Sequence, residues 1–375
     1  MAVRALPLAQ ALVKRGHQVA MFLPPWSYPA DAGKVWDEGG VRVENVAISP
    51  RGLIAPRLVA RVCAYKPDVV HLFKPKAYAG LAQWKLWQLR RLELTHARLV
   101  LDADDWEGAG GWNEIENYSW AMKRFFAWQE QWGLTHCDAV TVASRGLETI
   151  VWSLGRNPRE VHYLPYSLTP FAAMEPGARD IVRAEHGLDD DSVILLYTRF
   201  FEFRVERLVQ IFARIVEQVP NARLLVVGKG LFGEEEKLLT LAAKCGLRSR
   251  IAYTGWVESA RLPGYFAAVD MAIYPFDDTL INRCKCIVKL GDLLAAGVPV
   301  VAEAVGQNKE YISHNETGLL VPPGGVEEFA GAAARLLRDA DLRTRLGTSA
   351  AATMARDYNS TRIAQVAEAA YQLLH

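Results

Sequence analysis

Long hydrophobic runs are missing from this 375-residue chain. None reaches the roughly 18–20 apolar residues that a bilayer-spanning helix needs. The opening MAVRALPLAQALVKRGHQVAMF has neither the apolar core nor the small-residue cleavage site of a secretory signal. Cysteine is scarce. Five residues, Cys63, Cys137, Cys245, Cys284 and Cys286, are scattered and odd in number, which reads as reduced thiols in a cytoplasmic protein. Cys284-Lys285-Cys286 is too tight for a zinc knuckle and has no second pair, so no metal is expected there. Net charge is nearly absent: 43 Lys and Arg against 42 Asp and Glu leave +1. Such a chain has no global pull toward nucleic acid, and any polyanion site must be local. Short-period repeats and low-complexity tracts are lacking too.

What is present is ordinary globular material, 51% hydrophobic and 23% charged, in a length that suits two domains. Short β-branched runs alternate with helical stretches. In the first half the strand candidates are His17–Leu23, Val41–Ile48, Asp68–Leu72, Arg98–Leu101, Ala139–Val142 and Val161–Leu164. In the second they are Ser192–Tyr197, Arg223–Val227, Ile251–Tyr253, Met271–Tyr274, Pro299–Ala302 and Gly318–Val321. Helices such as Arg204–Gln218 and Glu234–Cys245 lie between them. This alternation predicts α/β architecture with parallel sheets, in two doubly wound Rossmann-like domains facing a central cleft. The boundary falls in the proline-rich Pro165–Gly177. The domains are then 1–168 and 169–358, with a last helix in 359–375 (Thr361–Leu374) that fits against either. The chain opens directly on a helix, without the central strand and Gly-rich turn that usually begin such a sheet. A start inside the domain, by truncation or at an internal Met, is the expectation.

Several strand ends carry residues suited to a phosphate ligand. Arg199 and Arg204 follow the strand VILLY, and Arg204 opens the next helix. Two guanidinium groups at such a place fit a diphosphate, although two solvated loop arginines would look the same. Lys289 and Asp292 share a helical face in KLGDLLAAGVPVVA; they are either a cation and a carboxylate aimed at one ligand or a surface ion pair. Gly306, Gln307, Asn308 and Glu310 follow the strand PVVAEA, and Gly228 and Gly230 follow LLVV. Glycines at strand ends let backbone N–H groups approach a ligand.

Together these residues resemble the retaining glycosyltransferases of family 4, which have the GT-B fold. The resemblance covers most of the chain and is strongest from Asp191 to Leu374. It puts Arg199, Arg204 and Lys289 on the donor diphosphate as the catalytic cations. Asp292 takes the second acidic position of an E-x7-E element, which binds the nucleotide ribose. GQNKEYI and ETGLLVPPGG match two further donor elements, with Gly306, Gln307, Asn308 and Glu310 among the donor-binding residues. Gly228, Gly230 and Trp256 fall where the base is held. Three positions depart from the family. Cys284 stands at the first Glu of E-x7-E, with Asp277, Asp278 or Asn282 as substitutes for its sugar contact. Asp104-Asp105 replaces a His-Asp pair, and PYSLT replaces a PNGVD-like linker.

In the first half, Asp102-Ala103-Asp104-Asp105-Trp106-Glu107 closes the strand RLVL. Gathered carboxylates must be solvated, paired or metal-bound. Lining the acceptor side, a metal-binding D-x-D, and local capping are the three readings. His71 and Lys74, after DVVHLF, join Asp104, Asp105 and Trp106 as acceptor-side candidates. The helices around Trp84–Arg91 and Trp120–Trp132 are rich in aromatic and basic residues. They read as buried flanks of the sheet or as a surface that meets anionic lipid.

The expected activity is metal-independent, retaining transfer of a hexosyl group from a UDP- or GDP-linked donor, with no cofactor. The acceptor is a glycan, lipid or small molecule, and nucleic acid is not a partner. Two other readings share the motifs: a sugar-nucleotide epimerase, and a degenerate GT-B partner subunit that binds nucleotide without turnover. The expected location is cytoplasmic, with peripheral contact at the inner membrane face as one reading of the aromatic helices.

Overall fold

The computed structural model describes residues 4–168, 175–188 and 191–372. Part of the expected boundary segment, residues 169–174, lies outside them. The chain forms two compact units. The first comprises Met1–Ser167, Arg283–Cys286 and Asn359–His375; the second comprises Leu168–Asn282 and Ile287–Tyr358.

In the first unit the strands are β1 (Ala20–Leu23), β2 (Val35–Glu38), β3 (Val41–Asn45), β4 (Val69–Phe73), β5 (Arg98–Ala103), β6 (Ala139–Val142) and β7 (Val161–Tyr163). They form two sheets, β1-β3-β2 and β4-β5-β6-β7. The four-stranded sheet is parallel throughout. β1 and β4 each keep one edge without a strand partner among the described residues. The sequence reading missed β2, which pairs antiparallel with β3. Its turn is Gly39-Gly40, with φ of 64° and 85°, the left-handed pair that a two-residue hairpin turn requires.

Helix Ala5–Lys14 buries Leu8, Ala11 and Leu12 against Ile363, Ala364 and Ala367 of the last helix, Ser360–Tyr371. The last helix therefore completes the first unit. Helices Ala77–Arg91 and Trp120–Thr135 pack on each other. The expectation that they are buried holds for one face of each. Leu86, Phe126 and Leu134 are inside, whereas Trp84, Trp120 and Trp128 are exposed.

The second unit has one six-stranded sheet: β8 (Ser192–Tyr197), β9 (Ala222–Val227), β10 (Ile251–Gly255), β11 (Met271–Tyr274), β12 (Val300–Glu303) and β13 (Leu319–Val321). All pairings are parallel, in the order β10-β9-β8-β11-β12-β13. Counted within the unit, that is 3-2-1-4-5-6, the doubly wound order whose switch point lies between β8 and β11. Both faces of the sheet are covered. Ile194, Leu196, Leu224 and Val226 join one core cluster, while Val193, Leu195, Leu225 and Val227 join the other. Burial on both sides explains why these strands read as unbroken apolar runs.

Candidate functional site

In doubly wound sheets ligands sit beyond the carboxyl ends of the strands at the switch point. Here that region is built from the loops after β8 and β11. The loop Thr198–Arg204 is tightly fixed. Phe200 is buried with φ of 64°, a left-handed conformation uncommon for a large side chain. Its amide donates to Thr198 Oγ1 at 2.7 Å. On the neighbouring loop, Gly228 has φ of 129°, and a Cβ there would stand 1.9 Å from the Thr198 carbonyl oxygen. Only glycine lets the loops after β8 and β9 close up this far.

Arg199 and Arg204 project from the β8 loop and are exposed. Arg204 lies 3.7 Å from Asp277, on the β11 loop. Lys289, from helix Val288–Ala295, places Nζ 3.4 Å from the ring centroid of Tyr197, the last residue of β8. The structure therefore brings the three expected cations to the carboxyl end of β8. Cation–π contact holds Lys289 against that strand end.

Asp292, one turn beyond Lys289, is buried. Burial pushes its carboxyl up to about 7, partly opposed by Lys289. The Tyr274 hydroxyl at the end of β11 is raised by burial and by nearby Glu202 and Asp292. Trp256 stands just past β10 and is exposed. Gly228 and Gly230 follow β9, and the Gly230 amide donates to Glu235 at 3.0 Å.

The segment after β12 differs from expectation. The helix at Gly306 is short, Asn308–Tyr311, and the amides of Asn308, Lys309 and Glu310 donate within it, to Val305, Gly306 and Gln307. Gln307 and Asn308 are fully buried. Gln307 Oε1 accepts from the Ile287 amide at 2.7 Å, which fixes the start of the helix that carries Lys289. Asn308 donates to the Glu303 carbonyl at 2.9 Å. Their side chains serve the protein's own backbone. Glu310 is half-buried, and its carbonyl accepts from the Tyr358 hydroxyl at 3.0 Å.

Sequence reasoning missed the residue that ties these loops together. Arg207, one turn into helix Val205–Gln218, is buried. It makes hydrogen bonds to Glu303 at 2.5 and 2.8 Å and to Asp277 at 2.6 and 3.1 Å. Asp277 in turn accepts from the Arg204 amide at 2.9 Å. Glu303 accepts from the amides of Phe276 and Gly324, both at 2.6 Å. One guanidinium thus holds the segments after β8, β11, β12 and β13. Asn282 donates to the carbonyls of Glu202 and Asp277, so it and Asp277 both have internal duties. Nothing local in the sequence marks this group.

In the first unit the three aspartates at the end of β5 do not converge. Asp102 faces inward, takes two bonds from Arg4 at 2.6 and 2.7 Å, and accepts from Thr141 at 2.6 Å. A D-x-D metal pair is therefore not formed. Asp104, Asp105 and Glu107 instead surround Lys74 at 3.3, 3.7 and 3.5 Å. Lys74 itself has φ of 62°. Burial lowers its affinity for a proton, but the three carboxylates outweigh this and keep it charged. Burial and Asp104 push Asp105 up to about 6.

His71 has both ring nitrogens engaged, Nδ1 with the Tyr371 hydroxyl at 2.9 Å and Nε2 with Thr141 at 3.1 Å. Thr141 donates its one proton to Asp102, so it accepts from Nε2, and Tyr371 donates to Nδ1. Burial and the nearby Arg4 hold the ring down at about 4, hence neutral. The Trp106 ring is buried, its Nε1 donating to Ala109 at 2.9 Å. A Cβ on Gly108 would stand 2.4 Å from that ring. Trp106 anchors its loop rather than facing outward. Cys284, at the first acidic position of the E-x7-E pattern, lies in the first unit's core, and its carbonyl accepts from Ser144 at 2.9 Å.

Residues 191–339 match the family described as Glycosyl transferases group 1, and residues 1–167 match the Glycosyl transferase 4-like domain. A D-inositol 3-phosphate glycosyltransferase of Mycobacteroides abscessus is 31% identical over 356 residues, 90% of this chain and 76% of that protein. The chain belongs to glycosyltransferase family 4. A GDP-mannose-dependent alpha-(1-6)-phosphatidylinositol monomannoside mannosyltransferase of Mycobacterium tuberculosis is 29% identical over 218 residues. That match spans 56% of this chain and 56% of the relative, so the chain covers about half the length of that protein. Among solved structures, sucrose-phosphate synthase from Thermosynechococcus elongatus superposes with a TM-score of 0.71 at 22% identity, covering 96% of this chain and 90% of that one. Anabaena HepE, solved with UDP and glucose, also reaches 0.71, at 18% identity and 98% and 95% coverage. These similarities establish the GT-B fold. No helix among the described residues is long and apolar enough to cross a membrane.

Proposed function

We propose that this transferase moves a hexosyl group from a UDP- or GDP-linked donor to an acceptor hydroxyl, with retention of configuration and without a metal ion or cofactor. The observation that carries the reading is the gathering of Arg199, Arg204 and Lys289 at the end of β8, beside the switch point. The GDP-mannose dependence of the Mycobacterium tuberculosis relative and the UDP bound in HepE support the donor class.

As the bond from the anomeric carbon to the phosphate oxygen breaks, negative charge grows on the leaving diphosphate. The three cations stabilise that charge where it develops. The acceptor oxygen bonds to the anomeric carbon on the same face, and its proton passes to the departing phosphate oxygen. Asp292 accepts from the ribose hydroxyls. Glu310 and Gly306 complete the sugar side, and Gly228, Gly230 and Trp256 the base side. Asp104, Asp105 and Lys74 orient the acceptor. Domains at 1–168 and 169–358, and cytoplasmic residence with peripheral membrane contact through the first unit, belong to the same proposal.

Calorimetry with UDP, GDP and their hexose conjugates tests it, alongside turnover in EDTA. Arg199→Ala and Lys289→Ala each lose one charge-assisted contact, worth about 1.5–3 kcal/mol, or roughly 10–150-fold in Kd. Unchanged donor binding and turnover in both variants would refute the reading.

A further inference from the structure

The amino ends of β5, β6 and β7 surround a cavity of about 220 Å3 within the first unit. Arg98 opens β5, and Cys137 and Asp138 lead into β6. Arg159 and Glu160 come from the turn before β7, His162 from β7 itself, and Gln372 from just past the last helix. Asp104 and Asp105 lie beyond the other end of β5, roughly 17 Å away along the strand. The cavity is therefore no part of the carboxylate cluster around Lys74.

Arg98 is the unusual member of this wall. Its Nε and Nη1 are both buried, and neither meets an acceptor among the described residues. Native proteins rarely keep a buried cationic donor in that state, because desolvation is not repaid. The acids in the wall serve other cations. Asp138 pairs with Arg90 and accepts from the Leu99 amide at 2.8 Å. Glu160 pairs with Arg156 at 2.9 Å, and Arg156 also donates to the Cys137 carbonyl at 2.9 Å. That leaves Arg98 and Arg159 as two cations with no carboxylate in ion-pair range among the described residues. Burial pushes the Cys137 thiol up to about 12, so it adds no charge. Burial and the Arg98 charge hold the His162 ring below its usual value, so at pH 7 it is neutral and offers one N–H.

We propose that this cavity binds a phosphoryl group, free or borne by a small metabolite. Two guanidinium groups balance a phosphate dianion, and the His162 ring and the Gln372 amide add neutral donors. Size sets the class. The volume is about seven times the ~30 Å3 share of a liquid water. It falls short of the roughly 300–1,000 Å3 of sites for drug-sized ligands, so a nucleotide is too large. The site also sits at a joint. Ala370 of the last helix packs with Val100 of β5 and Ala139 of β6, and Gln372 follows directly. An occupant therefore ties the end of the last helix to β5 and β7 and stabilises the first unit. None of this rests on the transfer chemistry proposed above.

Titration calorimetry on the full chain tests it with inorganic phosphate, glycerol 3-phosphate and, as the uncharged control, glycerol. One equivalent of a phosphate ligand is expected to bind and glycerol none. Arg98→Gln and Arg159→Gln should each weaken that binding about tenfold or more. The double variant Arg199→Ala/Lys289→Ala should keep it, which separates this site from the cations of the second unit. Ligand at ten or more times its Kd should raise the melting temperature of the parent by a few degrees, about 3 °C or more, and that of Arg159→Gln by less. Arg159 is exposed, so its variant folds whatever becomes of Arg98→Gln. Tighter binding of glycerol 3-phosphate, by about tenfold, assigns a phosphorylated metabolite; equal binding assigns free phosphate. The proposal is overturned if neither anion binds saturably, if Arg159→Gln binds as the parent does, or if the binding disappears in Arg199→Ala/Lys289→Ala.

Discussion

Replacing Asp292 with Asn should stabilise the protein at alkaline pH and impair it as an enzyme. Asp292 is 8% exposed, and burial lifts its carboxyl to about 7, against an ordinary value near 4. Between about pH 4 and pH 7 the folded chain keeps a proton that the unfolded chain has released. Stability therefore falls as pH rises through that window, and above it the whole cost is present. The interval is worth on the order of 4 kcal/mol, and relaxation around the charge brings the expected gain to about 2–4 kcal/mol. Asn keeps the shape and removes the charge. At roughly 2–4 °C per kcal/mol for a unit of this size, melting of the second unit should rise by about 5–10 °C at pH 8. At pH 5, where Asp292 is protonated in the folded chain, most of the difference should vanish. Scanning calorimetry at both values measures this, and donor titration should show weaker affinity, by about tenfold or more. Equal shifts at both pH values, or a lower melting point at pH 8, would refute the reasoning.

Arg207→Met should cost about 3–5 kcal/mol, because Glu303 is left as an uncompensated buried charge and Asp277 loses its nearest cation; denaturant unfolding measures it, Arg207→Lys should recover part, and a loss below about 1 kcal/mol would contradict the assigned role. Donor KM should rise more than kcat falls, since Arg207 positions the loops without touching substrate. Gly228→Ala puts a methyl 1.9 Å from the Thr198 carbonyl at a φ of 129°, so stability should drop by more than about 1 kcal/mol and donor affinity with it; parental calorimetry would count against the close packing of the two loops. Lys74→Met removes the cation that restrains Asp105 near about 6, so the acidic limb of the pH–rate profile should move to higher pH, and a stationary limb would separate Asp105 from turnover.

The fold was legible where apolar runs are both short and fully buried. β6, β8 and β11 span the same residues in the sequence reading and in the structure, because each lies in the middle of a sheet covered on both faces. β2 was not, since none of its four residues is buried; the paired glycines of its turn were the available signal. For the helices Ala77–Arg91 and Trp120–Thr135 two readings stayed open, and the structure buries one face of each. Aromatic residues surround them, and composition alone does not tell a core-facing tryptophan from one facing outward. In the second unit the places of the exposed Arg199 and Arg204 and the half-buried Lys289 were legible through strand-end position and resemblance. The buried group of Arg207, Asp277 and Glu303 was not. Its members are 70 and 96 positions apart, and only the completed sheet makes them neighbours.

The return of the last helix to the first unit has a consequence for synthesis. A ribosome releases residues 360–371 only after the whole second unit has been made. Until then Leu8 and Leu12 lack the apolar face of Ile363 and Ala367, His71 lacks Tyr371, and Arg15 and His17 lack Glu368. The half of the chain that emerges first is therefore finished last, and while it waits it offers the cell's chaperones an unfilled groove along its opening helix.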